Sequence, residues 1–289
     1  MGKSLVLILG LGVAAVAATL LAQTLPPVYF NHATIFIPPA AYDALRQSAF
    51  LRDQFSAFQE RTVQRDGGTW SYTGIFISGQ HTYLEFFKAG QNSHFGDTIA
   101  GQIVFNMWVD DRKQLPLFKD RLAAETGANL LIETARNGQN APMYDAVVTK
   151  EGPASDFGPG MRVDSYIKGY YPDGVTREKR LEKGFVADRQ LRDITGFTLT
   201  VDDAERNRLI QQFRAYAYDV KADGATQVVS GPEVTFTLVL AKPNTPRMLT
   251  IDLSMNRATT AEQTSKFDDG GELRIRGNAG TWVFSFPNE

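Results

Sequence analysis

The residue in this sequence that most needs a chemical explanation is Glu85, a carboxylate inside an apolar stretch. The stretch His81 to Phe87 is rich in aromatic and apolar residues, and a glycine-containing turn bounds each end, which predicts a β-strand. Successive side chains of a strand point to opposite faces, so Tyr83, Glu85 and Phe87 share one face. A carboxylate is costly to bury unless it is paired, hydrogen-bonded or bound to a metal. Glu85 is therefore either a ligand or general base, or a paired carboxylate on a solvated sheet face.

The three histidines differ in what their positions allow. His32 lies in the predicted strand Val28 to Ile37, where it could ligate a metal or be satisfied by the backbone or a nearby carboxylate. His81 is on the same predicted face as Glu85 but roughly 13 Å away at about 3.3 Å per residue, which is too far to share one metal ion. His94 lies in a predicted loop, from which it could reach a cavity as a ligand or base.

Composition excludes several other kinds of chemistry. There are no cysteines, which rules out thiol nucleophiles, cysteine-ligated metals and disulfides. The sequence has no Gly-x-Ser-x-Gly elbow, no glycine-rich phosphate loop and no dinucleotide fingerprint. The formal net charge is -2 and no long run of Lys or Arg occurs, so neither nucleic acid nor an anionic membrane surface is expected as a partner.

The first 22 residues form a separate segment. Lys3 precedes an apolar run from Leu5 to Leu21, and the chain then becomes polar and proline-rich at Gln23 to Pro27. This order predicts a signal peptide over residues 1–22 that is cleaved, and a secreted or periplasmic protein. The alternative is an uncleaved N-terminal membrane anchor, because the run is close to the roughly 18-residue minimum for spanning a bilayer.

The predicted elements recur in the same order along the chain. A first unit of strand, helix, strand and strand extends from Val28 to Phe87, with apolar spacings that predict a helix reaching Phe58. A second unit begins at the strand Gly101 to Val109, where the following Asp110-Asp111 can cap a helix, and it ends at the strand Val163 to Tyr171. Such internal repetition predicts an α+β fold made of a repeated unit of one strand, one helix and several further strands.

A third unit follows the charged stretch Thr176 to Lys183, which is predicted to be a linker. It starts at the strand Phe197 to Val201, and Val228 to Leu240 reads as one further strand. The chain is predicted to finish with a hairpin made of Leu273 to Arg276 and Thr281 to Phe286.

Two short stretches resemble a known superfamily. Phe30 to Ile35 resembles the opening strand, and Tyr83 to Phe86 the closing strand, of the vicinal oxygen chelate superfamily, which includes glyoxalase I, extradiol dioxygenases and fosfomycin-resistance proteins. Residues 29–90 are most similar to an uncharacterised group of secreted glyoxalase-like proteins. The resemblance implies curved mixed sheets that enclose a cavity, with paired βαβββ modules over 28–175 and a third module over 185–289.

The resemblance also implies roles for particular residues. His32 and Glu85 match the positions that hold one divalent metal (Zn, Ni, Mn or Fe), and Glu85 could also be the catalytic base. In the second unit the position matching His32 falls near Val104, and Lys168 matches Glu85. In the third unit Asp252 matches Glu85, which makes Asp252 the candidate third metal ligand.

Three further residues are candidates for ligand binding. Trp70 and Tyr83 belong to aromatic stripes on neighbouring predicted strands, and these stripes either line a cavity or pack in the core. Lys168 could anchor an anionic ligand or be plain surface.

Two functions therefore stay open, and the sequence does not decide whether the protein is an enzyme. The first is a secreted glyoxalase-like protein that binds a small molecule in its cavity without a metal. The second is a divalent-metal-dependent lyase, isomerase or dioxygenase. The expected partner is a small molecule, and a homodimer is left open.

Overall fold

The computed structural model describes residues 25–90, 98–149, 162–242, 246–268 and 270–286. The predicted signal peptide over residues 1–22 and His94 lie outside the described residues. Within these ranges no helix combines the length and the apolar character needed to span a membrane. The protein consists mainly of strands, which form two mixed sheets. The helices lie in the connections between strands. The predicted α+β class is confirmed.

The first sheet has eight strands and an approximate internal symmetry. Its strands and helices are β1 (Tyr29–Ile37), α1 (Pro39–Gln47), β2 (Ala57–Arg65), β3 (Trp70–Ser78), β4 (Tyr83–Lys88), β5 (Ile103–Trp108), α2 (Leu115–Thr126), β6 (Leu130–Arg136), β7 (Pro142–Thr149) and β8 (Val163–Tyr170). The strand order is β2-β3-β4-β1-β5-β8-β7-β6. β1 is parallel to β4 and β5 is parallel to β8, whereas β1 and β5 are antiparallel at the centre. Each half thus runs strand, helix and three strands.

The second sheet has six strands and follows a short connecting helix. The remaining elements are α3 (Arg177–Leu181), β9 (Leu191–Val201), α4 (Asp203–Ala215), β10 (Asp219–Asp223), β11 (Thr226–Ser230), β12 (Thr235–Leu240), β13 (Arg247–Lys266) and β14 (Glu272–Phe286). The strand order is β10-β11-β12-β9-β13-β14. Asp202 begins α4 with a capping box, because its carboxylate accepts from the backbone N–H of Glu205 while the Glu205 carboxylate accepts from that of Asp202.

The hydrophobic core includes residues of both sheets. Phe105 of β5 lies 5.0 Å from Phe197 and 4.9 Å from Phe236 between ring centroids, so the two sheets meet through aromatic rings. Along β1, Ala33 and Ile35 are fully buried in this core. Since side chains alternate on a strand, the residues between them lie on the other face of the first sheet.

Polar contacts also join the sheets. The Arg177 guanidinium is fully buried, donates to the carbonyl of Phe30 at 2.9 Å and lies 2.5 Å from the Glu233 carboxylate. Asp193 of β9 accepts from the backbone N–H of His81 at 3.1 Å, and its carboxylate is 2.9 Å from the His81 ring. His81 therefore helps to hold the second sheet against the first.

The helix predicted to reach Phe58 ends earlier in the structure. α1 stops at Gln47, a short π-helical segment covers Leu51–Phe55, and Phe58 already belongs to β2. β2 is an edge strand with exposed polar residues along its middle, a composition that resembles a solvated helix face. The sequence pattern therefore hid one strand of the first half.

Three other predicted elements are corrected. The predicted linker Thr176 to Lys183 contains α3, held in place by the buried Arg177. The single strand predicted over Val228 to Leu240 is two antiparallel strands, β11 and β12. The predicted terminal hairpin is one long strand, β14, which pairs with β13.

Candidate functional site

A cavity of about 490 Å³ lies on the face of the first sheet that is not packed against the second sheet. Side chains from both halves of the sheet line it, together with residues of α3 and the turn that follows. Such a volume is within the range of sites for small organic molecules. Several of the site residues predicted from the sequence line this cavity.

A β-bulge in β1 turns two consecutive polar residues toward the cavity. The pairing of β1 with β5 shifts register between Phe30 and His32, which leaves Asn31 as the extra residue. Phe30 packs in the core, whereas Asn31 and His32 both line the cavity. The His32 Nδ1 atom lies 2.7 Å from Asn31 Oδ1, so the bulge also fixes the orientation of the imidazole ring.

His32 and Glu85 face each other on the first half of the sheet. The His32 Nε2 atom is 3.5 Å from Glu85 Oε2, and both side chains are almost fully buried. The Thr34 hydroxyl donates to Glu85 Oε2 at 3.1 Å. Tyr83 stacks on the His32 ring with 4.2 Å between ring centroids. The carboxylate that the sequence singled out is therefore paired and hydrogen-bonded.

The contacts continue across the seam between β1 and β5 into the second half. Asn106 donates from Nδ2 to the Thr34 hydroxyl at 3.3 Å, and Lys168 donates from Nζ to Asn106 Oδ1 at 3.0 Å. We call Asn31, His32, Thr34, Glu85, Asn106 and Lys168 the polar network. All six of its residues are buried.

The network combines equivalent positions of the two halves. Glu85 pairs with the residue two places after His32 on β1, and Lys168 pairs with the residue two places after Asn106 on β5. His32 and Asn106 are themselves opposite one another across the seam. Asn106, not Val104, is thus the counterpart of His32, while Lys168 is the counterpart of Glu85. The first half supplies the imidazole of His32 and the carboxylate of Glu85, and the second half supplies the amide of Asn106 and the amine of Lys168.

Burial and neighbouring groups set the protonation of the network. Burial and Lys168 lower the pKa of His32 to about 4 against the opposing effect of Glu85, so the imidazole is neutral at pH 7. Burial by itself raises the pKa of Glu85, but the contacts with His32, Lys168 and Thr34 outweigh it and lower that pKa to about 2. Burial lowers the pKa of Lys168 well below its ordinary value, although Glu85 acts in the other direction.

The remaining charged groups around the cavity are cationic. Besides Lys168, the described lining residues include four basic side chains and one carboxylate, that of Glu85; the four are Arg61, Arg65, Arg180 and Lys183. None of the four forms an ion pair with a carboxylate within the described ranges. The electrostatic character of the cavity is therefore suited to an anion.

Three buried N–H donor atoms of the lining have no hydrogen-bond partner in the described part of the chain. They are Asn31 Nδ2, Arg65 Nε and Trp108 Nε1. Another nitrogen of Arg65, Nη2, donates to the Tyr144 hydroxyl at 2.7 Å. Because an unsatisfied buried donor costs free energy, a bound acceptor would remove a penalty that the protein otherwise carries.

Aromatic rings form much of the cavity wall. Trp108 stacks on Tyr170 at 4.3 Å between ring centroids. Arg180 Cζ lies 3.7 Å from the ring centroid of Tyr170. On the opposite half, Arg61 lies 4.0 Å from the centroid of Phe76. The guanidinium groups are thus held on ring faces, which fixes their positions without neutralising their charge.

The structure brings together four of the six residues proposed from the sequence. His32, Glu85, Tyr83 and Lys168 all line the cavity. Trp70 does not, because it stands at the beginning of β3, where its indole N–H donates to Asp66.

Asp252 is also absent from the cavity. It lies on β13 of the second sheet, which pairs with β9 in the antiparallel direction, whereas β4 with Glu85 pairs with β1 in the parallel direction. The strand that corresponds to β4 in the second sheet is β12, which is parallel to β9. Asp252 is therefore not the counterpart of Glu85, contrary to the prediction from the sequence.

The donor set does not fit the divalent metal that the sequence resemblance implies. The described residues contain no group of three His, Cys, Asp or Glu side chains placed to hold a metal ion. His32 and Glu85 could each ligate, but their counterparts are Lys168, which carries N–H donors, and Asn106, whose oxygen accepts from that lysine. A metal site needs about three protein ligands, and here an amine lies where a further ligand would be expected.

Several lining residues were missed at the level of sequence. Arg61 and Arg65 were not assigned to a strand, although Gln59, Arg61, Val63 and Arg65 alternate along β2 and all line the cavity. Because Glu60, Thr62 and Gln64 between them are polar as well, no alternation of polar and apolar residues marked this strand. Asn106 could be recognised only through the pairing of β1 with β5, which no local pattern reveals.

Comparisons with known proteins place the chain in a family and identify similar folds. The model of the family described as "Family of unknown function (DUF5829)" matches residues 30–284. A comparison with curated proteins found no match. A hypothetical protein from Staphylococcus aureus is similar in structure, with a TM-score of 0.51, 11% sequence identity and coverage of 90% of this chain and 98% of that one. This likeness concerns the fold alone.

Two further solved structures are more distant. A xylose isomerase-like TIM barrel/4-hydroxyphenylpyruvate dioxygenase fusion protein has a TM-score of 0.43 and 9% identity, with coverage of 75% of this chain and 33% of that one. A mutant of 4-hydroxymandelate synthase from Streptomyces coelicolor has a TM-score of 0.40 and 16% identity, with coverage of 74% and 63%.

Proposed function

Because the chain belongs to the DUF5829 family, whose function is unknown, we propose a function from the cavity itself: it binds a small organic anion without a metal. The observation that carries the proposal is the set of unpaired donors around the cavity. Four basic side chains without a carboxylate partner and the two unsatisfied N–H groups of Arg65 and Trp108 all require negative charge or acceptor atoms.

Arg65 is the main anchor for the anion in this proposal. It is largely buried, its Nε is unsatisfied, and its Nη2 is held by the Tyr144 hydroxyl. A guanidinium presents a planar fork that matches a carboxylate or phosphate. Since Glu85 is already paired with His32 and Thr34, it remains bound within the network and does not neutralise Arg65.

The aromatic wall determines the body of the ligand. Tyr83, Trp108, Tyr144 and Tyr170 line the cavity, and aromatic rings favour contact with flat apolar groups. A cavity of about 490 Å³ accommodates a molecule with one aromatic ring and a few substituents. The ligand we propose is therefore an aromatic carboxylate or a compound of similar shape and charge.

We also propose that the first sheet is a pair of vicinal-oxygen-chelate modules that have lost the metal. The order of strand, helix and three strands in each half supports this assignment, as does the central antiparallel pairing of β1 with β5. Secretion remains a prediction from the sequence, and a homodimer stays open.

The experiment is a binding assay with charge-matched pairs of probes. Benzoate and phenylacetate are titrated into the purified protein by calorimetry and thermal shift, beside the neutral analogues benzamide and phenylacetamide. We expect the carboxylates to bind at least roughly tenfold more tightly than the amides, with an affinity that falls as salt is added. Equal affinity of the charged and neutral probes, or no binding of either, would refute the proposal.

Two arginine variants locate the binding site. Arg65→Gln should weaken benzoate binding, because it removes the guanidinium but retains a polar side chain. Arg276→Gln serves as the matched control, since Arg276 is exposed on the second sheet. A loss of binding in both variants would indicate a non-specific effect of charge.

A further inference from the structure

Lys168 is a buried amine without a carboxylate partner. Its side chain lines the cavity, the residue is only 3% exposed, and Nζ donates to Asn106 Oδ1 at 3.0 Å. No carboxylate lies within ion-pair distance of Nζ in the described ranges. Lysine is almost never fully buried unless it is paired, so this arrangement needs an explanation beyond packing.

The amine shares one tyrosine ring with each of two guanidinium groups. The centroid of Tyr144 is 5.0 Å from Lys168 Nζ and 5.1 Å from Arg65 Cζ. The centroid of Tyr170 is 5.5 Å from Lys168 Nζ and 3.7 Å from Arg180 Cζ. A ligand whose anionic group contacts either arginine can therefore extend along a tyrosine ring toward the amine.

These surroundings favour the uncharged amine. Burial lowers the pKa of Lys168 well below its ordinary value, and the positive charges of Arg65 and Arg180 lower it further, while Glu85 acts in the opposite direction. A neutral amine has a free lone pair and is nucleophilic. Nζ donates one hydrogen to Asn106 Oδ1 and another to the Tyr166 hydroxyl at 3.5 Å, which accounts for both hydrogens of the neutral amine and leaves its lone pair unused.

We infer that Lys168 forms an imine with an aldehyde or ketone that carries an anionic group. The inference rests on the proposed function, because the same arginines hold the anionic group. The Nζ lone pair adds to the carbonyl carbon, and the carbonyl π pair moves to oxygen, which is protonated as nitrogen loses a proton. Loss of that oxygen as water then leaves the carbon–nitrogen double bond. No atom is oxidised or reduced.

The ligand class follows from the spacing of the groups. We place the carbonyl and the anionic group at opposite ends of a flat body, because Lys168 Nζ and Arg65 Cζ contact the same Tyr144 ring. An aromatic aldehyde with a carboxylate across the ring has this shape. We therefore use 4-formylbenzoate as the probe, and its methyl ester as a neutral aldehyde of similar reactivity.

The experiment traps the imine chemically. The purified protein is incubated with 4-formylbenzoate and sodium cyanoborohydride, which reduces an imine to a stable secondary amine. Peptide mass spectrometry then locates the label, whose mass is that of the aldehyde less one oxygen atom. We expect Lys168 to be labelled at least roughly tenfold more than the exposed Lys113 and Lys221, because each unit by which a lysine pKa falls gives about tenfold more neutral amine.

Competition and substitution complete the test. Excess benzoate should suppress the label on Lys168 but not on Lys113, and the methyl ester should lose the preference for Lys168. Lys168→Met should remove the main labelled peptide while the remaining lysines react as before. Labelling of Lys168 no greater than that of Lys113 overturns the inference. If benzoate still binds in that case, the anion site stands and imine formation alone is refuted; if benzoate does not bind, both fail.

Discussion

The two faces of the first sheet are built from alternate residues of the same strands, yet they obey different rules. On β5, Phe105 contacts the aromatic rings of the second sheet, while its neighbour Asn106 joins the polar network. On β4, Leu84 is buried in the core, while Glu85 faces His32. The core face stabilises the protein by burying apolar side chains. The cavity face instead buries polar groups, which folding stability alone does not require.

This difference suggests how each face responds to change. A substitution on the core face should alter the free energy of unfolding and leave ligand recognition intact. A substitution on the cavity face should alter charge, pH dependence or affinity with a smaller effect on stability. Substitutions on each of the two faces test this separation.

Phe105→Ala should lower the free energy of unfolding by about 3–5 kcal/mol, because it leaves a cavity among aromatic rings. Chemical denaturation measures the loss, and benzoate affinity of the remaining folded protein should stay unchanged. Leu117→Ala is the control, since Leu117 is 42% exposed and should change stability by no more than about 0.5 kcal/mol. A small loss of stability combined with a lost binding site would contradict the separation of the two faces.

His32 should make the protein less stable in mild acid. Its pKa of about 4 in the folded chain lies below the ordinary 6.5, so the unfolded chain binds more protons between these values. Stability must then fall as pH decreases, by about 2 kcal/mol between pH 7 and pH 5.

Denaturation of wild type and His32→Asn at both pH values tests this contribution, because the groups outside the polar network titrate alike in both proteins. The variant should lose about 2 kcal/mol less than wild type over the same interval. Parallel pH profiles of the two proteins would show that protonation of His32 carries no such cost.

Arg180→Gln should have the smallest effect and the most local one. Arg180 is partly exposed and lies on the ring of Tyr170 at the cavity wall. We expect benzoate affinity to fall by about 1 kcal/mol, roughly fivefold, with a weaker dependence on salt and unchanged stability. Calorimetry at two salt concentrations measures both quantities, with Arg276→Gln as the control. A greater loss of stability than of affinity would place Arg180 in a structural role.

Much of the first sheet could be predicted from the sequence because its central strands follow simple patterns. The stretch containing Tyr83 to Phe87 alternates between core and cavity as a period of two requires, and Glu85 was correctly placed on the face of Tyr83. The helix α2 was also predicted correctly, since Leu115, Phe118 and Leu122 share one buried face.

The rest depended on information that a local pattern does not contain. β2 is polar along its middle, so nothing apolar marked Arg61 and Arg65 as strand residues. Asp252 is not the counterpart of Glu85, because its strand is antiparallel to β9 whereas the strand of Glu85 is parallel to β1. The direction of pairing is a property of the whole sheet and does not show in a short stretch of sequence. Likewise, Asn106 became part of the site only because β5 lies beside β1 in one particular register.

The short helix α3 links the cavity to the second sheet. Arg177 is fixed to Glu233 near β12, and three residues later Arg180 forms part of the cavity wall. The second sheet, which provides none of the network residues, thus holds one wall of the cavity in position. Coupling between two sites is reciprocal. A ligand that engages Arg180 should therefore strengthen the docking of the sheets by the same free energy that docking contributes to binding.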